Sequence, residues 1–424
     1  MGTNPADSLP DANAVSAALA ACPFVVVSDV VAQPETLAFA DVVLPAAAWG
    51  EKDGTVTNSE RRISRQRPFL AALGEARPDW WQLTQVAQRM GFAGFDYEGP
   101  SDIFAEHARL SAFENDGARD FDIGLWAEKD ATAYDAMAPF RWPARADGST
   151  TERFFSDRKF YTPDGQPRFL PVTSPKPRVI DPEYPMVLNT GRVRDHWHTL
   201  TRTARSQRLS AHIAEPYCEI HPADASRLGI KDAGLVVIES THGNATMRAL
   251  VSDRQRVGTV FAPMHWTAIY SSAGRIDTLV PPGTDPFSGQ PASKNVAVSV
   301  RPETPLAYGF AVLRDKPTIQ PGDLAYWALA KCEGGWRLEF ALAHGQTFGL
   351  HGEAGLSVTD HAHRTRAAWF DGEQLVGAVF TAPNPVGVAR SWAVEQLSVN
   401  HDPKNRFLLG AGRPAAGQPD KGAI

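Results

Sequence analysis

Cysteine is scarce in this chain, with three in 424 residues. Cys22, Cys218 and Cys332 stand too far apart in sequence to encode a disulfide framework or an iron–sulfur cluster, so a reducing, cytoplasmic setting is expected. Long apolar runs are missing as well. The longest, around Phe24–Val31 and Val42–Trp49, are broken by Ser28, Asp29, Pro45 and Glu51. Neither approaches the roughly 20 residues that span a bilayer, so no membrane partner is expected. Excess positive charge is also lacking: 42 Lys and Arg against 48 Asp and Glu give a net charge of −6. That balance argues against a nucleic-acid partner, which is held by clustered cations. The start, MGTNPADSLPDANAV, has neither a basic n-region nor an apolar h-region. There is no GxSxG, no HExxH, no P-loop and no GxGxxG after a strand, and no internal repeat. Nothing here encodes a nucleophilic reaction centre, and no residue is assigned as catalytic.

What is present is the texture of an ordinary globular protein, 43% hydrophobic and 21% charged. Its length calls for two or three domains. Residues 1–95 alternate helical and strand patterns. An Ala-rich helix is expected over Asp11–Cys22, and Phe24–Val30 and Ala38–Pro45 read as strands of the buried, parallel kind. A helix follows over Trp80–Met90, with Asp79 as its N-cap. Alternation of this kind marks a partial doubly wound α/β domain. Residues 96–165 form a less regular connection with a helix near Ser101–Ser111. From 166 to 301, short strand patterns such as PMVLNTGR, GLVVIEST, ATMRALV, GTVFAPMHW and NVAVSVR are separated by Gly, Pro, Asp and Asn, with one short helix over Pro222–Leu228. This reads as a compact β-barrel. Residues 302–424 read as a small α+β region with strand-like segments YWALAK, WRLEFALA and LVGAVFTA, ending in a helix near Pro385–Leu397. The last stretch, GRPAAGQPDKGAI, has the composition of a linker, and both ends read as cut.

Three segments carry chemistry. Ser28-Asp29 closes the strand FVVVSD, where an α/β sheet binds ligands beyond its carboxyl edge. A carboxylate there accepts two hydrogen bonds from a ribose diol or from the guanine N1–H and amino group. The same dipeptide also suits a strand end that caps a helix. The loop-like EKDGTVTNSERR offers Lys52, Arg61 and Arg62 to neutralise phosphates, or is a solvated charged loop. The densest feature is NTGRVRDHWHTLTRTARSQR. Here Gly191 permits close backbone approach, Trp197 gives a flat apolar face, and Arg192, Arg194, His196, His198, Thr199, Thr201 and Arg202 supply donors. Such a loop suits a polar heterocycle joined to a pyrophosphate. A metal at His196-x-His198 lacks a third ligand of suitable spacing, and His361-x-His363 reads as surface.

Taken in order, MGTNPADSLPD, the stretch from VVVSD to ISRQ, ARPDWWQL, LNTGRVRDHWHTLTRT, AEPYCEIHPADASRLGI and TDPFSGQPASK resemble the C-terminal half of the DMSO-reductase superfamily, the bis-molybdopterin-guanine-dinucleotide oxidoreductases. The resemblance covers residues 1 to about 301 and, in GRIDTLVPPGTDPFSGQP, is most similar to assimilatory nitrate reductases. It implies a barrel of the double-psi type. It implies that Asn4, Ser28, Asp29, Lys52 and Asp79 contact one guanine dinucleotide. Thr190, Gly191, Arg192, His196, Trp197, His198 and Thr199 would embrace the pterin and phosphates of the other, with Lys294 a further contact. Asp277 stands where the periplasmic enzymes place an Asn contact.

It further implies molybdenum bis(molybdopterin guanine dinucleotide) as cofactor and nitrate as substrate. The [4Fe-4S] cluster and the metal ligand would belong to a part of the parent protein not in this chain. Electrons would come from a donor protein or an NAD(P)H- or ferredoxin-linked reductase. The chain alone is expected to be inactive. A formate dehydrogenase of the same superfamily and a non-catalytic cofactor-binding module are the alternatives. Residues 302–424 are expected to be a family-specific extension.

Overall fold

The computed structural model describes residues 1–32, 34–171 and 181–412. The linker-like tail from 413 onward lies outside the described residues. The chain forms two compact units: Met1–Gly2, Val26–Val30 and Val42–Pro177 make one, and Thr3–Val25, Val31–Asp41 and Arg178–Ile424 make the other.

In the first unit, strand Val26–Asp29 pairs in parallel with Val42–Pro45. Both strands were expected to be buried on two faces. Instead Val26 is 49% and Val43 51% exposed, while Val27 and Ser28 are buried at 7% and 2%. The second strand is shorter than expected, because Glu35–Phe39 turns into a 3-10 helix before it. The following helix spans Asp79–Arg89, and its N-cap is Pro78; Asp79 is the first helical residue. There its carboxylate complements the positive end of the helix dipole, as Arg89 does the negative end.

The segment expected as a charged loop is a hairpin. Gly54–Thr57 pairs antiparallel with Arg62–Gln66, which in turn pairs with Phe140–Arg141. Helix Pro100–Ala112 packs Phe104 and Ala108 against Ile63, Ile123 and Tyr134 to form the core of this unit.

The second unit contains the expected barrel, which is closed and six-stranded. Its strands are Met186–Gly191, Tyr217–Ile220, Leu235–Glu239, Asn244–Val251, Thr259–Pro263 and Val296–Glu303. Tyr217–Ile220 is a strand that the turn-rich sequence around it concealed. Alternating residues fill the interior: Met186, Leu188, Ile220, Val236, Ile238, Met247, Val260 and Val298. Helix Pro222–Leu228 ends on Gly229, whose φ of +68° fits the left-handed cap.

Residues 307–382 build a six-stranded antiparallel sheet, three strands of which the sequence concealed: Ala307–Leu313, Leu356–Thr359 and Thr365–Asp371. Helix Arg390–Glu395, with Trp392, packs on Phe310, Tyr326 and Phe380. Glu339 lies beneath, 1% exposed, and binds Arg390 at 2.9 Å, Arg337 at 2.9 Å and the barrel residue Arg248 at 3.8 Å.

Candidate dinucleotide-binding site

At the carboxyl end of strand Val26–Asp29, the expected residues converge. Ser28 Oγ donates to Asp79 Oδ1 at 3.1 Å, and Lys52 Nζ lies 3.6 Å from Asp79 Oδ2. Gly2 N–H donates to Ser28 O at 2.8 Å, which holds the first residues of the chain against this strand end. The backbone of Asp29 accepts from Ala46 N–H at 3.0 Å. The strand delivers Ser28 and Asp29, the helix start delivers Asp79, and a half-exposed lysine balances the carboxylate. Arg61 and Arg62 do not join this group. The Arg61 guanidinium donates to Trp142 O and Glu152 O and lies 4.0 Å from the Phe154 ring centre, while Arg62 pairs with Glu60.

Asn4 belongs to the other unit and is saturated there. Its amide donates to Asp7 at 3.0 Å and Glu35 at 2.7 Å, and its Oδ1 accepts from Thr36 N–H and Oγ1. Burial first, and Glu35 beside it, push Asp7 up to about 9, so this carboxyl keeps its proton near neutrality. Glu35 is held below the usual range: burial opposes ionisation, but hydrogen bonds from Asp7, Thr267 and Asn4 outweigh it. Arg275 Nε lies 2.9 Å from Asp7. Asp7, Glu35, Thr36 and Arg275 escaped the sequence reading, since no local pattern joins positions so far apart.

The loop after strand Met186–Gly191 holds the third group. Thr190 is 2% exposed, and its Oγ1 donates to Ser293 O at 2.8 Å. Lys294 donates to the Thr190 carbonyl. Gly191 also answers to a neighbour within the barrel. A Cβ there would stand 2.6 Å from Phe261 Cε2, so the glycine is required by the neighbouring strand. His196 turns inward: Nε2 meets Ile213 O at 3.0 Å and Nδ1 meets Thr203 Oγ1 at 3.3 Å. Burial lowers its pKa, and lowers that of His198 together with the Arg192 charge. Trp197 is 46% exposed, with the Arg202 guanidinium 5.0 Å and that of Arg192 6.0 Å from its ring. Arg194 is tied to Asp195 at 2.9 Å. Thr199 is buried.

Asp277, 8% exposed, is pushed up to about 7 by burial, partly offset by the charges of Arg275 and Lys294. Beneath the loop lies a residue the sequence reading passed over, His265, fully buried. A lone histidine after a strand gave no signal by itself.

No metal-binding group of three or more His, Cys, Asp or Glu occurs among the described residues. The described residues thus present a strand-end group of Ser28, Lys52 and Asp79 in one unit and, in the other, a closed barrel edged by a cation-rich aromatic loop. Residues 1–89 match the Molybdopterin oxidoreductase family and residues 186–297 the Molydopterin dinucleotide binding domain. The chain belongs to the molybdopterin oxidoreductases.

Within that family it is similar to nitrate reductases. One from Klebsiella oxytoca is 46% identical over 336 residues, 79% of this chain and 38% of the relative. The assimilatory nitrate reductase catalytic subunit of Bacillus subtilis is 34% identical over 313 residues, 71% of this chain and 41% of the relative. Formate dehydrogenases also match. The chain thus spans less than half the length of these relatives. The solved structure of acetylene hydratase from Pelobacter acetylenicus shares the fold, with TM-score 0.54 and 17% identity over 71% of this chain and 43% of that one.

Proposed function

We propose that this chain supplies the dinucleotide clamp of a molybdenum-dependent nitrate reductase. The observation that carries the clamp is the presentation of Trp197 between Arg192 and Arg202, on a loop braced by buried histidines. A pterin is flat and rimmed with N–H donors, and its pyrophosphate tail is anionic. An indole face, two guanidiniums, Lys294 and the buried Asp277 carboxyl match that donor and acceptor set. Ser28, Asp29, Lys52 and Asp79 suit a guanine, whose N1–H and amino group two carboxylates recognise. Asn4 then acts from behind, by holding its own helix start. Thr190, Gly191 and His196 shape the loop from within, and this reading gives His198 and Thr199 to the ligand beside Trp197.

When bound, molybdenum bis(molybdopterin guanine dinucleotide) supplies oxygen-atom transfer and two-electron chemistry. On this reading nitrate, two protons and two electrons give nitrite and water. The electrons come from a donor protein or an NAD(P)H- or ferredoxin-linked reductase. The similarity to nitrate reductases supports the substrate, and the matches to formate dehydrogenases support oxidation of formate as the second reading. The relatives' remaining length is where this reading puts the [4Fe-4S] cluster and the metal ligand. Three free cysteines support a cytoplasmic setting, and no helix among the described residues is long and apolar enough to cross a membrane.

Calorimetric titration of the chain with GDP and with ADP tests the clamp. Binding that favours GDP, and that is lost in Asp79→Ala, is the expected result. Equal binding of both nucleotides, or of neither, overturns it. The purified chain is expected to show no nitrate reduction with reduced viologen, and turnover would place the reaction centre within this chain.

A further inference from the structure

His265 follows the barrel strand Thr259–Pro263 and is fully buried, yet every polar atom of its ring is engaged. Nε2 accepts the Val193 N–H at 2.9 Å. Nδ1 lies 3.0 Å from both Trp197 O and His198 O, so it carries the proton and donates to them. A backbone N–H can only donate and a carbonyl can only accept, so this arrangement admits one state of the ring: neutral, with hydrogen on Nδ1. One side chain therefore joins the start of the loop to its turn 4 and 5 residues later, the two points between which the chain reverses.

We infer that His265 is the positioning residue of the 193–199 loop, fixing the faces that Trp197, His198 and Thr199 present. The role rests on the clamp reading for its purpose but not for its geometry. The segment that carries it also braces the Asn4 cluster, since Ile269 N–H donates to Glu35 at 3.1 Å and Arg275 holds Asp7. Residues 264–278 are thus a common support for two of the groups singled out in the sequence.

Two titratable neighbours of the ring are histidines. His196 lies 5.9 Å away centre to centre, and His196 and His198 both oppose a positive charge on His265. Trp266 packs edge-on at 6.4 Å. A second proton on His265 would face the Val193 N–H with a donor and break the bond at that end, while leaving the carbonyl bonds in place. The loop would then be held by its turn alone.

Amide hydrogen exchange and imidazole nitrogen NMR on the whole chain test this. In the wild type, His265 is expected to be neutral and protonated on Nδ1 at pH 6.5. In His265→Phe, which keeps the ring and loses the bonds, amides of residues 193–199 should exchange about tenfold faster, with strand Leu235–Glu239 unchanged. His265→Asn, which restores a donor towards the carbonyls, should fall between. A cationic or Nε2–H ring at pH 6.5, or wild-type exchange in His265→Phe, overturns the proposal. Should His265→Phe not fold, the wild type itself decides: after correction for intrinsic exchange, protection of the loop amides should fall between pH 7 and 4.5 ahead of that of the barrel strand, and uniform behaviour overturns it. Adding millimolar 6-hydroxymethylpterin, the kind of ring that the clamp reading gives to this loop, separates the two readings. Failure to protect the loop in the wild type sinks the clamp and leaves the positioning role standing.

Discussion

Ser28 and Asp79, 51 positions apart, meet through a 3.1 Å hydrogen bond at the point where a strand ends and a helix begins. The hydroxyl is 2% exposed, and it donates to a carboxylate that Lys52 also approaches. Ser28→Ala removes a bond to a charged acceptor, worth about 1.5–3 kcal/mol where both partners are buried and less here because Asp79 is partly open to water. A loss of about 1 kcal/mol in urea unfolding is expected, with a fall of several-fold in GDP affinity. Unchanged affinity would remove Ser28 from the clamp.

Gly191→Ala tests the reason for the glycine. The new methyl would stand 2.6 Å from Phe261, and overpacking of this kind costs roughly 1–3 kcal/mol. Adding Phe261→Leu should recover most of the loss in the urea midpoint. If the single variant were as stable as the wild type, the contact with Phe261 would not be what excludes a side chain.

The buried carboxyls and histidines give the stability a definite pH dependence. Asp7, raised to about 9, holds a proton that the unfolded chain releases near its ordinary 3.8. Its contribution is present at low pH and is lost as pH rises towards 9. His265, pushed down to about 4 mainly by burial, works the other way: stability falls as pH drops from about 6.5 to 4. Between those limits the two oppose each other, while above pH 7 Asp7 is unopposed by the histidines. Stability should therefore decline from pH 7 to 9, by at most about 1.4 kcal/mol per pH unit for one proton. Urea midpoints at pH 7, 8 and 9 measure the slope, and Asp7→Asn should flatten it.

Glu339 anchors the C-terminal sheet against three arginines while almost wholly buried. Glu339→Ala leaves Arg337 and Arg390 without their counter-charge, and breaking such a pair costs about 3–5 kcal/mol. Limited proteolysis should then cut within residues 307–412 before the barrel. Equal resistance in the variant would show that the arginines find other partners.

The barrel was legible because its strands alternate: Met186 and Leu188, or Val296, Val298 and Val300, place every second side chain inside. Tyr217–Ile220 hid because Cys218 and Ile220 are its only strongly apolar inward residues between prolines and a charged neighbour. The hairpin of 54–66 hid for a related reason, since its outward face is charged and only Ile63 and Gln66 are buried. Among the candidate residues, Ser28, Lys52 and Asp79 were found and do meet. For His196 and Gly191 the sequence carried no sign of the intrachain contacts with Ile213, Thr203 and Phe261, because a sequence shows that a donor is present and not which way it points.

By itself the sequence determined the succession of an α/β part and a barrel and the two donor-rich segments, all of which follow from residue periodicity and local composition. The pairing of Asp7 with Glu35 and Arg275, the loop brace at His265 and the demand of Phe261 on Gly191 were decided by tertiary structure alone. Each depends on desolvation and on contact between residues distant in the chain, and these exist only once the barrel has closed and water has left.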